Sequence, residues 1–152
     1  MPDATAGSRV KALDWPPTVY AQDNTNISGI SSDDYTTGGH PLVAVTFTAN
    51  TFGKILLTVG GCGRGDGQDT RLDLAPQIFL GTNASGEEIL APAVFNRGLT
   101  FPEGNVYVCH SRTTRLQGLE PGATYFARLV HKKVGNTTGD FARRELVITP
   151  TS

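Results

Sequence analysis

The stretch LVAVTFTANTFGKILLTVGG, Leu42 to Gly61, decides the fold. Apolar residues recur at every second position, first as Val43, Val45 and Phe47, then as Ile55, Leu57 and Val59. Period two is the signature of strands with one buried and one open face. The short link ANTFG predicts that the two runs form an antiparallel hairpin. RLDLAPQIFLG and EEILAPAVF flank GTNASG as a second hairpin. Pro76 and Pro92 place these strands at sheet edges or bulges. ATYFARLVHKK and FARRELVIT flank VGNTTGD as a third, and NVYVCHS and TTRLQGL add further strand material. No amphipathic helix stands out. Short strands at close spacing predict an all-β chain, a single antiparallel β-sandwich of jelly-roll or immunoglobulin/fibronectin III-like form.

The chain has 152 residues, the size of one domain. Its formal net charge of −1 argues against the basic footprint of a nucleic-acid binder. No apolar run reaches the roughly 20 residues of a membrane-spanning helix. The first residues lack the apolar core of a secretory signal. With no export signal in view, Cys62 and Cys109 are expected to be unbridged. Residues 1–39 are polar and turn-rich, with isolated Val10, Leu13, Trp15, Val19, Tyr20, Ile27 and Ile30. They read as an extended N-terminal arm, and residues 40–152 as the sandwich. Such an arm orders itself by lying on something else. Trp15 is therefore an expected assembly contact, lodged against another chain.

The chemistry-bearing motifs fail one by one. GGCGRGDGQDTRLD, Gly60 to Asp73, lacks the glycine spacing of a dinucleotide loop and the Gly-Lys-Ser/Thr of a phosphate loop. Asp66, Asp69 and Asp73 do not follow the alternate spacing of a helix–loop–helix calcium site. The stretch reads as a long flexible loop between strands. His40, His110 and His131 make no metal-type pair. We expect no catalytic residue, no metal and no cofactor, and so no enzyme. Phe126 and Val130 fall on the outer face of their strand, either as an assembly contact or under a covering segment.

GLEPGATY places Leu119, Pro121, Gly122 and Tyr125 as in the turn before the sixth strand of fibronectin type III modules. The resemblance spans at most Thr114 to Thr149. It implies a tyrosine corner, with the Tyr125 hydroxyl bonded to backbone upstream. More broadly, the stretches VAVTFTANTFGKILLTVGG, LAPQIFLGTNASGEEILAP, SRTTRLQGLEPGATYFARLVHK and FARRELVIT resemble small virion structural proteins of actinobacterial tailed phages and their prophages, usually described as minor tail proteins. That resemblance covers roughly residues 8–149 and rests on overall pattern. It implies a non-enzymatic bacteriophage virion component, tail- or fibre-associated or a head decoration protein. Its partners would be other virion proteins and further copies of itself, with a trimer favoured, and neither nucleic acid nor membrane. Its location would be the virion, assembled in the host cytoplasm. The alternative is a carbohydrate-binding module for a host-surface glycan. That would require Tyr20, Tyr35, Phe52, Phe95, Phe101 and Tyr107 to cluster on an exposed face.

Overall fold

The computed structural model describes residues 14–152; Val10 and Leu13 lie outside the described residues. The strands are β1 (Val19–Asp23), β2 (Ile27–Ile30), β3 (Ala44–Thr48), β4 (Lys54–Gly65), β5 (Arg71–Leu80), β6 (Glu88–Leu90), β7 (Leu99–Phe101), β8 (Val108–Gln117), β9 (Thr124–Val134) and β10 (Gly139–Pro150), with one short helix, α1 (Val94–Arg97). They form two antiparallel sheets. One runs β1-β10-β4-β8, with β2 also on β10; the other runs β3-β9-β5-β6, with β7 also on β5.

The pairing is nested. β1 pairs with β10, β3 with β9, β4 with β8, and β5 with β6 and β7. The chain thus behaves as one long hairpin rolled up on itself, the jelly-roll form of a sandwich. The fibronectin-like alternative, in which hairpin neighbours share a sheet, does not describe it. Two of the three expected hairpins are corrected accordingly. β3 and β4 lie in opposite sheets, and so do β9 and β10; only β5 and β6 pair as a hairpin.

The reason for the first corner is visible at Asn50. Its buried amide donates to Thr151 O at 2.8 Å, while its Oδ1 accepts the N–H groups of Phe52 and Lys54. The link is therefore bound to the chain's end and to the next strand. Gly53, at φ 59°, passes so close to Leu119 O that a Cβ would stand 2.2 Å from it. Only glycine combines that backbone with that approach.

The core lies between the sheets. Val43, Val45, Phe47, Ile55, Leu57 and Val59 are all buried in it, on the face the alternation marks. Ile27 and Ile30 are buried there too. This corrects the boundary at residue 39. β1 pairs along its whole length with β10, β2 adds to the same strand, and Thr36 bridges His131. A polar segment with few apolar residues is ordered by strand pairing, because its backbone groups need partners regardless of side-chain polarity.

Candidate functional site

The glycine-rich stretch is not a loop. Gly60 to Gly65 belong to β4 and Arg71 to Asp73 to β5, which leaves only a short turn between them. The glycines make room for neighbours. A Cβ on Gly61 would stand 2.9 Å from the Phe101 ring, and one on Gly63 the same distance from Phe141. On the opposite face, one on Gly60 would come within 2.6 Å of the Glu145 carboxylate. Arg64 donates through Nε and Nη2 to Asp140 Oδ2 at 3.0 and 2.7 Å, and its guanidinium stacks on Tyr107. Asp66 accepts from Thr138 Oγ1. The Arg-Gly-Asp tripeptide is thus held into the sheet end.

Cys62 and Cys109 form a disulfide, contrary to the expectation of two free thiols. They sit directly opposite one another on β4 and β8, with Cα atoms 4.0 Å apart. Their separation of 47 residues in sequence conceals this. A cross-strand position without mutual backbone hydrogen bonds brings Cα atoms to about 4.5 Å, the closest approach a sheet offers.

A polar cluster lies between the sheets near β1. Arg144 is almost wholly buried and donates through Nη2 to Asp23 Oδ2 at 2.7 Å and to Pro41 O at 2.8 Å. Burial alone would raise the Asp23 pKa, but hydrogen bonds from Arg144 and Thr25 outweigh it and hold the carboxyl below its ordinary range. His131 is equally buried, with its ring 5.7 Å from that of His40. Burial, then Arg144 and His40, push the His131 pKa down to about 4. This imidazole is neutral at ordinary pH. With positively charged Arg144 beside it, the pair of rings is poorly suited to a cation. Among the described residues no three His, Cys, Asp or Glu side chains are placed to share a metal.

Tyr125 stands near the start of β9, buried, and its hydroxyl accepts the Glu120 N–H at 2.8 Å. Leu119 is buried beside it, and Pro121 occupies the exposed turn. Val130 is buried rather than open. It sits opposite Ala75, on the stretch of β5 that α1 and Gly98 cover. Phe126 is half-buried beside Phe79. Trp15 is 54% exposed and touches Phe52, ring centroids 6.4 Å apart. The six aromatics of the glycan alternative do not converge. Phe101 is fully buried, Tyr20 stands on the outer face of β1, Tyr35 packs under Lys132, Phe52 meets Trp15, Tyr107 packs on Arg64, and Phe95 lies near Arg71.

The β1-β10-β4-β8 sheet keeps an open outer face and ends in β1 on one side and β8 on the other. The outward row carries Tyr20 and Gln22 on β1, Glu145 and Val147 on β10, Leu56 and Thr58 on β4, and Ser111, Thr113 and Arg115 on β8. Thr58 and Thr113 hydroxyls bond across the strands at 2.7 Å. β8 ends the sheet order, and most of its ten residues are exposed. Period-two reading finds such a strand but not its rank in the sheet. Both the edge and the Arg144–Asp23 pair escaped it.

Neither a protein-family profile nor a curated protein sequence matches the chain. Solved structures resemble it. The structure of infectious bursal disease virus Gx strain aligns with a TM-score of 0.51 at 12% identity, over 88% of this chain. The crystal structure of the infectious bursal disease virus VP2 subviral particle aligns at 0.48 and 12% over 90%. The chain spans about a third of the length of these relatives, 31% and 34% respectively. At this identity the likeness is one of fold: the chain shares its β-sandwich with a viral particle protein.

Proposed function

We infer that the chain is a non-enzymatic structural protein of a bacteriophage particle, on the tail or fibre or as a decoration of the head. The observation that carries this reading is the nested jelly roll with an open outer sheet face and unpaired sheet edges. Such a scaffold is rigid, because its inner strands are bonded on both sides, and it presents area rather than a cleft. The sandwich shared with a viral particle protein and the sequence's resemblance to phage virion components point the same way. Its partners would then be other virion proteins and further copies of itself. The scattered aromatics weigh against a glycan-stacking platform.

The test is the particle itself. Purified virions from a host carrying the phage or prophage should contain this chain by mass spectrometry at a fixed stoichiometry to the major capsid or tail protein. Labelled antibody should decorate one defined part of the particle. A chain found only in the lysate and never in purified particles overturns the reading.

A further inference from the structure

β8 offers a complete backbone edge. The Cys62–Cys109 pair has the short Cα distance of a position without mutual hydrogen bonds. Odd-numbered residues of β8 therefore turn their N–H and C=O away from β4. Thr151 N–H bonding to Lys54 O shows that even residues of β4 face β10, which leaves its odd residues to face β8. Cys109, Ser111, Thr113, Arg115 and Gln117 are all exposed. The edge has neither proline nor glycine along its length, and its only formal charges are Arg112 and Arg115.

We propose that two copies of this chain join antiparallel through β8, about a two-fold axis at Thr113, to make one continuous sheet from the two β1-β10-β4-β8 sheets. Centred there, Cys109 meets Gln117, Ser111 meets Arg115 and Thr113 meets itself. Every one of these is an outward-bonding position, so the seam holds about ten backbone hydrogen bonds. The charges are compatible with this register. β8 carries Arg112 and Arg115 and no acid, yet Arg112 comes opposite Thr114 and Arg115 opposite Ser111, so no like charges face each other. The arginines are also drawn back into their own copy. Arg112 Nη1 donates to Phe95 O and Arg115 Nη2 to Ser152 O. The same register accounts for Val106, 74% exposed, and Tyr107. Both fall opposite the turn Gly118–Glu120 of the second copy, at the two ends of the seam. The disulfide pins β8 to β4. An isologous contact closes on itself and gives a dimer.

The described residues contain no free cysteine, so Thr113→Cys adds a single reporter thiol at the axis. Under mild oxidation it should yield a disulfide-linked dimer on non-reducing gels, whereas Glu87→Cys, in the exposed β5–β6 turn, should not. Sedimentation of the wild-type chain should show a monomer–dimer equilibrium. Thr113→Pro removes an N–H that faces the free edge and should weaken that equilibrium at least 100-fold with an unchanged circular dichroism spectrum. If Thr113→Pro fails to fold, the Thr113→Cys cross-link decides alone. A chain that stays monomeric at all concentrations, a trimer, open-ended polymers from β8 meeting β1 of the next copy, or a dimer that leaves Thr113→Cys unlinked would each overturn the proposal. Presence in or absence from virions bears on the proposed function and leaves this result untouched.

Discussion

At the scale of single residues, the chain shows both what a sequence displays and what it hides. Tyr125 was legible because the turn GLEPGATY constrains it locally: a hydroxyl five residues on reaches the Glu120 N–H. Tyr125→Phe should cost about 1 to 3 kcal/mol, the penalty for a hydrogen-bond partner left unmet, read as a lower urea midpoint with an unchanged slope. His131 was not legible, since its environment comes from Arg144, His40 and Phe141 on other segments. Its pKa is about 4 in the folded chain against an ordinary 6.5. Between those values the unfolded chain holds a proton that the folded one lacks, so stability falls as pH drops through that window. The loss from pH 7 to pH 5 should be about 2 kcal/mol. Asp23, held below its ordinary value of 3.8, adds its own loss only at lower pH, where its carboxyl begins to protonate. Urea unfolding at pH 7 and pH 5 checks the histidine window. His131→Gln should flatten the dependence, and an equal slope in both proteins would refute it.

At the scale of elements, alternation located the long strands and their inward faces, Val43-Val45-Phe47 and Ile55-Leu57-Val59 among them. It did not say which strand each one meets. A hairpin and a corner both join two strands that are apolar on one face by a short polar link. In the hairpin the faces lie side by side, and in the corner they oppose. The choice at ANTFG rests on Asn50 reaching Thr151, a contact over 101 residues of chain. The disulfide was hidden for the same reason, because Cys62 and Cys109 become neighbours only once β8 lies on β4. Alkylation of the native chain without reductant should label neither cysteine, and both after reduction and unfolding. Closing a loop of 47 residues stabilises by about 2 to 4 kcal/mol, so Cys62→Ala with Cys109→Ala should melt lower while keeping its strand content. If the doubly substituted chain melts at the wild-type temperature, the bridge does not hold β8 in place.

At the scale of the whole molecule, composition misled where topology decides. The first 39 residues look like an arm because they carry so little core material, yet β1 and β2 cover β10 and complete the sheet. What they contribute is concentrated in three side chains. Ile27 and Ile30 are buried, each worth about 1.5 to 3 kcal/mol. Asp23 answers Arg144, and removing one partner of a buried ion pair costs about 3 to 5 kcal/mol. Together these approach the whole stability of an ordinary domain, about 5 to 15 kcal/mol. Deleting residues 1–30 should therefore abolish the cooperative melt rather than release a folded sandwich without its tether. The double substitution Asp23→Leu with Arg144→Met separates the two contributions. It removes the charges while keeping apolar bulk, and should retain a cooperative transition. If the shortened chain melts cooperatively near the wild-type temperature, β1 and β2 are appendages after all and the sandwich begins at β3.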